Sequence, residues 1–305
     1  MNVLKMKRFA GMLVFLAMSS GPSFAQAGSM TSQEQKNLKL VLDWWREVIV
    51  AHHLELAPKY QAEDYIQHNP NIATGRAAFV EFFGGLGPPQ PIQPTLAHPP
   101  VKAFGKGDYV VLIWEHEAKD PRDASKTYKY NGFDVLRIQK GKVQEHWDDA
   151  MKTSTKVIAT AEPAPGSLTA HSAGSLTPQE KQNQEIATRE MKDILQYGHL
   201  ELAPEVIAEG YIQHNPNVPT GRDAFVNFFS QFAKPQPIQP EWKAKPALIL
   251  TSGDLVFFLI DRTGKDPADP TKEYKYNWFD MIRVDDGKVQ EHWDAAKKNP
   301  PAPPR

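Results

Sequence analysis

The sequence predicts an α+β protein built from two tandem copies of one unit. The chain repeats itself: Tyr65-Ile66-Gln67-His68-Asn69-Pro70-Asn71 returns as Tyr211-Ile212-Gln213-His214-Asn215-Pro216-Asn217, an offset of 146. Thr31 to Ala150 lies on Thr177 to Ala296 without a gap, with about 58 of roughly 120 positions identical. Within each copy, helical apolar periodicity comes first and β-branched, aromatic runs follow, the order of helices packed on an antiparallel sheet. A repeat of this length is a duplicated domain and not a solenoid, whose units span about 20–50 residues.

The first stretch stands apart from both copies. Lys5, Lys7 and Arg8 precede an apolar run from Phe9 to Met18, then Ser19-Ser20-Gly21-Pro22, with small residues before cleavage points after Ala25 or Ala27. That order makes residues 1–27 a secretory signal peptide, and the expected location is periplasmic or secreted. The run is shorter than the roughly 20 residues a bilayer span needs, so no membrane partner is expected. The copies occupy 31–150 and 177–296. Residues 151–176, rich in Ala, Pro, Ser, Thr and Gly, read as a linker, and 297–305 as a proline-rich tail.

Each copy opens with a capped helix. Thr31 is followed by Glu34, and Thr177-Pro178-Gln179-Glu180 adds proline at the first helical position. Leu38, Val41, Leu42, Trp45, Val48 and Ile49 continue the apolar stripe. A short helix is expected over Leu54 to Tyr60 and another from Thr74-Gly75-Arg76, carrying Phe79, Phe82 and Phe83. After a proline-rich break, Tyr109 to His116, Tyr128 to Ile138 and Lys142 to Asp148 read as strands.

Composition removes several function classes. Lys+Arg is 35 against Asp+Glu 36, so no basic excess argues for nucleic acid. The absence of cysteine excludes disulfides, thiolate metal sites and a cysteine nucleophile.

Tyr-x-Gln-His-Asn-Pro, then Gly-Arg with a Phe-Phe helix, then Phe-Asp-x-x-Arg and Gly-Lys-Val-x-Glu-His-Trp-Asp resemble the SnoaL-like group. That group belongs to the nuclear transport factor two-like, cystatin-like α+β superfamily. The resemblance covers nearly all of both copies. It implies two tandem cones, each with helices packed in a curved antiparallel sheet around an apolar pocket. It also implies cofactor-free acid/base chemistry of the polyketide cyclase or isomerase type on a small, largely apolar carbonyl compound. One departure is visible: relatives often carry histidines on the strand equivalent to Tyr109–His116, where this chain has Ile113 and Glu115, or Leu259 and Asp261. Cones of this superfamily commonly pair through their sheets, so the copies are expected to form an intramolecular pseudo-dimer. A non-catalytic binding protein for a small hydrophobic ligand is the alternative that the same pocket allows.

Proton removal beside a carbonyl needs a base, and the enolate oxygen needs a donor. His146 and Asp148, with His292 and Asp294, lie two apart on a strand and leave the same face. Asp134 and Asp280 sit in otherwise apolar strands, where a carboxylate is costly unless paired or wet. A three-residue turn at Gly141 pairs Asp134 with His146, and a two-residue turn pairs it with Trp147; the first is favoured. His68 and His214 serve either as a second polar anchor, with Tyr65 or Tyr211 as donor, or as a hydrogen-bonded brace beside the Asn-Pro turn. Glu115 and Asp261 join as acidic strand positions, for which simple exposure is the plainer account. Trp114, Tyr130, Phe133, Tyr276 and Trp278 are expected to line the core or the pocket wall. Trp278, which replaces Gly132, would narrow the second pocket if it points inward. His68, His146 and Asp148 have the composition of a two-His-one-carboxylate site, but no tight ligand pair is present and no metal is expected.

Overall fold

The computed structural model describes residues 30–153 and 173–300. The leader, most of the linker and residues 301–305 of the tail lie outside the described residues.

In the first unit α1 (Ser32–Trp44) is closed by the expected capping box, Thr31 Oγ1 accepting from Glu34 N–H while the Glu34 carboxylate accepts from Thr31 N–H. The helix runs on to Val50 in wider turns that re-aim Trp45 and its neighbours. A single 3-10 turn over Leu54–Leu56 and α2 (Ala57–Tyr60) lead into β1 (Gln61–Gln67), then α3 (Arg76–Gly84). The strands β2 (Lys102–Lys106), β3 (Tyr109–Asp120), β4 (Asp123–Gln139) and β5 (Lys142–Asp148) complete the unit. The second unit repeats the plan with α4 (Pro178–Thr188), α5 (Ala203–Val206), β6 (Ile207–Gln213), α6 (Arg222–Phe229) and β7 (Leu248–Ser252). It ends on β8 (Leu255–Lys265), β9 (Glu273–Asp285) and β10 (Lys288–Asp294). Its first helix also continues in wide turns, over Arg189–Gln196.

The strand order is β1-β5-β4-β3-β2 and, in the second sheet, β6-β10-β9-β8-β7. Only the β1–β5 and β6–β10 pairs are parallel. This is the predicted α+β duplication, two units of one plan. β1 and β2 escaped the sequence reading: Gln61–Gln67 is mostly polar, and Lys102–Lys106 is short and follows prolines.

Alternation along β3 and β4 divides the sheet into two faces. Val110, Leu112, Trp114 and Leu136 turn to the helices and meet Val41, Trp44, Val48, Tyr65 and Phe79. Tyr109, Val111, Ile113, Phe133 and Val135 turn the other way. There they share one apolar cluster with Leu250, Phe257, Leu259, Phe279 and Met281 of the second unit. The two sheets therefore pack on each other, and each covers its outer face with helices.

The β4–β5 hairpin corrects the expected register. Lys140 and Gly141 form a two-residue turn with φ of 51° and 70°, the conformation that suits the twist of paired strands. A bulge then absorbs Gln144, so Asp134 lies opposite Asp148, neither of the two positions expected. The bulge shifts the pairing by one residue and puts Asp134, His146 and Asp148 on the helix-facing side together.

Candidate active site

Three strands and one turn build the polar centre of the first unit. β4 brings Asp134 and β5 brings His146 and Asp148, while β1 and the turn after it bring Tyr65, Gln67 and Asn69. His146 Nε2 lies 2.6 Å from Asp134 Oδ1, and Trp114 Nε1 donates to Asp134 Oδ2 at 2.6 Å. Trp114 is itself stacked on Trp45, with ring centres 4.7 Å apart. Gln67 Nε2 faces His146 Nδ1 at 3.2 Å and the Tyr65 hydroxyl at 3.1 Å. The Asp148 carboxylate accepts from Asn69 Nδ2 at 2.8 Å and from the Ala150 N–H at 3.0 Å.

Burial pushes the Asp148 carboxyl up, and the negative charge of Asp134 adds to burial, although the His146 imidazole opposes both. Burial alone would lower the His146 pKa; the hydrogen bond and charge of Asp134 outweigh it, and the net shift is upward. Burial drives the Tyr65 hydroxyl well above its ordinary range, so it stays protonated.

Asp149 adds a third carboxylic acid that sequence reading passed over. Its Oδ1 accepts from the Phe133 N–H at 3.2 Å. Burial, reinforced by the charges of Asp134 and Asp148, raises it to about 7. Ala295 holds this position in the second unit, so copy comparison marked it as non-recurring.

The predicted residues fall into three groups. Tyr65, Trp114, Asp134, His146 and Asp148 converge, as do Tyr211, Asp280, His292 and Asp294. His68 and His214 do not. The period of two that sends Gln67 to the pocket sends His68 to the sheet–sheet side, where it stacks on Trp147 at 4.3 Å and meets Glu145 Oε2 at 3.1 Å. His214 repeats this with Trp293 and Glu291, at 4.4 and 3.0 Å. The two histidines are braces for ion pairs with Arg137 and Arg283 behind the pocket. Phe133 is also on that side, stacked on Phe279 between the sheets, so it is no pocket wall. Glu115 is exposed and paired with Lys129, and Asp261 is exposed. Gln67 and Asn69 were missed although both recur as Gln213 and Asn215. Alternation through Tyr65, Gln67 and Asn69 is the signal that finds them.

A cleft of about 1000 Å³ lies between the two units. Tyr130, Gly132, Asp148 and Asp149 line it from the first unit, and Tyr276 and Trp278 from the second. Gly132 makes room for His116 at the first mouth: a Cβ there would stand 2.7 Å from His116 Nε2. In the second unit Trp278 fills the equivalent place, with the Arg262 guanidinium 4.0 Å over its ring. Asp148 borders the cleft, while Asp294 is absent from its lining.

The second centre differs in chemistry as well. Glu190 replaces Trp44 and Ile260 replaces Trp114. His292 Nδ1 is 3.2 Å from Glu190 Oε1, and Nε2 is 3.1 Å from Asp280 Oδ1.

Residues 41–146 and 188–292 each match the profile of the SnoaL-like domain. Among solved structures, the chain is similar to a candidate polyketide cyclase from Bacillus cereus at 24% identity. That match covers 39% of this chain and 77% of the other, with a TM-score of 0.29. A nuclear transport factor two-like protein of unknown function from Mesorhizobium loti is 25% identical, over 40% of this chain and 97% of that one, TM-score 0.29. A candidate ketosteroid isomerase from Kribbella flavida is 18% identical, over 41% and 86%, TM-score 0.28. No curated protein matches the sequence.

Proposed function

Given that the chain belongs to the SnoaL-like domain family, twice over, we propose that its first unit performs cofactor-free acid/base chemistry on a small, largely apolar carbonyl compound. The reaction is of the aldol cyclisation or isomerisation type. One observation carries this reading: the half-buried Asp148, backed by His146 and Asp134, borders the cleft between the units beside Gly132 and Tyr130.

Asp148 is the base. Its two oxygens are held by Asn69 and by the Ala150 N–H, which fixes its aim while leaving a lone pair on each oxygen. Asp149 is the matching acid. Burial, with the charges of Asp134 and Asp148 behind it, raises Asp149 to about 7, so a proton donor stands beside the base. Asp148 takes the proton beside the carbonyl, and Asp149 donates to the oxygen on which the enolate charge develops. His146, oriented by Asp134, relays or stabilises charge behind Asp148. Tyr130, Tyr276 and Trp278 offer aromatic surface to the rest of the substrate.

The reading includes export, which the order of charge, apolar run and small residues in 1–27 supports. It also includes an intramolecular pair of units, which the shared apolar cluster supports.

Proton exchange tests the chemistry without knowledge of the natural substrate. Small aryl and cyclic ketones are incubated with the full chain in D2O, and loss of the α-proton signal is followed by NMR. Exchange is expected with at least one of them, slowed 100-fold or more by Asp148→Asn. Ketones that bind equally to both proteins with no exchange would replace this reading with that of a binding protein.

A further inference from the structure

We infer that the second unit holds a divalent metal ion between Asp280, His292 and Asp294, a role that Asp134, His146 and Asp148 do not share. In both units one carboxylate oxygen from each aspartate and one histidine nitrogen lie within 4.8 Å of one another. Ligands about 2.1 Å from one ion stand about 3 Å apart at a right angle and about 4 Å apart across it. That grouping is common to both units and does not by itself separate them.

The histidine tautomer separates them. In the first unit Gln67 Oε1 accepts from the Asn69 N–H at 3.1 Å, which fixes the amide and turns its NH2 group toward His146 Nδ1. Nδ1 accepts, so Nε2 carries the hydrogen and donates it to Asp134. A nitrogen bearing that hydrogen has no lone pair for a metal. In the second unit Gln213 is engaged with the Asn215 N–H and the Tyr211 hydroxyl, at 2.9 and 2.8 Å. His292 Nδ1 meets Glu190 Oε1 instead, an acceptor. Nδ1 must now carry the hydrogen.

The lone pair of Nε2 then points at Asp280 Oδ1, 3.1 Å away. Two acceptors at that distance need a cation between or upon them, either an extra proton or a metal. The separation matches two ligands at a right angle on one ion. The 2.6 Å gap in the first unit is tighter than that. A metal-bound histidine commonly gives its other N–H to a carboxylate, which is the place Glu190 holds.

Charge argues the same way. Glu190 is fully buried, and its Oε2 has no hydrogen-bond partner among the described residues. Asp280 and Asp294 are 5% and 6% exposed. Three acids are buried around one histidine, more than a single imidazole can pair, and buried charge without compensation is strongly unfavourable. Asp280 also lacks the tryptophan donor that Asp134 has, since Ile260 replaces Trp114. One nitrogen with two carboxylates suits Mn2+, Fe2+, Co2+ or Zn2+. The inference stands apart from the reading of the first unit, which uses other residues.

The full chain, stripped with chelator and dialysed, is titrated with MnCl2 while the electron paramagnetic resonance signal of free Mn2+ is followed. One Mn2+ per chain is expected, displaceable by Zn2+, with imidazole 14N modulation in the spectrum of the bound ion. Asp280→Asn and Glu190→Gln should each weaken binding tenfold or more, and Asp134→Asn should not change it. No binding at millimolar Mn2+ or Zn2+, two equivalent ions per chain, or bound Mn2+ lacking 14N modulation would each overturn the inference. The stoichiometry and the nitrogen signal are read on the wild-type chain, so they decide even if a variant fails to fold. A negative result leaves the proton-exchange test of the first unit unaffected.

Discussion

Asp134 and Asp148 stand directly opposite each other on β4 and β5, yet of the two it is Asp134 to which the His146 imidazole bonds. Two carboxyl groups thus face one pocket, and the histidine hydrogen-bonds to one of them. That division leaves Asp148 available for a proton and makes Asp134 the group that orients His146. Without Asp134, the largest influence left on His146 is burial, which favours the neutral ring. Asp134→Asn should therefore drop the His146 pKa below its ordinary 6.5, read by NMR titration of the ring. The sign for stability follows. A histidine raised in the folded state stabilises below its unfolded pKa, and the effect is lost as pH rises through the folded value. Asp134→Asn should accordingly destabilise more at pH 5 than at pH 8.

Asp149 carries the opposite sign. Its carboxyl is raised from 3.8 to about 7, so between those values the folded chain binds a proton that the unfolded chain has released. Stability falls as pH rises through this window, and the full penalty is present above it. Asp149→Asn removes the charge and keeps an oxygen to accept from the Phe133 N–H. The variant should be more stable than wild type by roughly 2 kcal/mol at pH 8, after allowance for the open cleft. The difference should close toward pH 4. Urea melts at several pH values read this directly.

The repeat, the capped helices and three of the five strands in each unit were legible because each has a local cause: capping residues, a period of 3.6, or a run of β-branched side chains. β1 was not, because Gln61–Gln67 pairs through its backbone while Ala62, Glu63 and Asp64 stay partly or fully exposed. Asp134, His146 and Asp148 were legible as acids and a base on shared strand faces. The register that unites them was hidden in a bulge at Gln144, which no residue type announces. His68 was misplaced through lack of β1, since only a strand's alternation shows that Gln67 and His68 part ways. Glu190 was invisible for another reason: the wide turns of the first helix bring it to His292, and helical spacing alone does not connect residues 102 positions apart.

At the first mouth the His116 ring packs over Gly132. A tryptophan there would collide with His116, whose Nε2 stands 2.7 Å from the position of a Cβ. Gly132→Trp alone should destabilise the chain by about 1–3 kcal/mol, the usual range for overpacking. Adding His116→Arg transplants the stacked pair of Trp278 and Arg262 and should recover most of that loss. The double variant is expected to fold yet exchange ketone protons at least tenfold more slowly, because the tryptophan closes the route to Asp148. An exchange rate equal to wild type would show that substrate enters elsewhere.

Lys106 and Glu180 join the units at a buried point. Lys106 Nζ lies 2.8 Å from Glu180 Oε1, and the side chains are 9% and 7% exposed. Glu180 also caps its own helix and accepts from the Gly253 N–H, so its carboxylate is held in place from three directions. Ser252 occupies the position equivalent to Lys106, so the pseudo-symmetric contact does not exist and the pair works once per chain. Lys106→Met leaves the carboxylate buried without its countercharge, which should cost about 3 kcal/mol. Glu180→Gln in the same chain removes the stranded charge while keeping an oxygen for the backbone donors. The double variant should therefore be more stable than Lys106→Met alone, a coupling that a urea-melt mutant cycle measures. Purely additive losses would mean that the lysine acts through its aliphatic stem alone, packed between the units, and that its charge is irrelevant to holding them together.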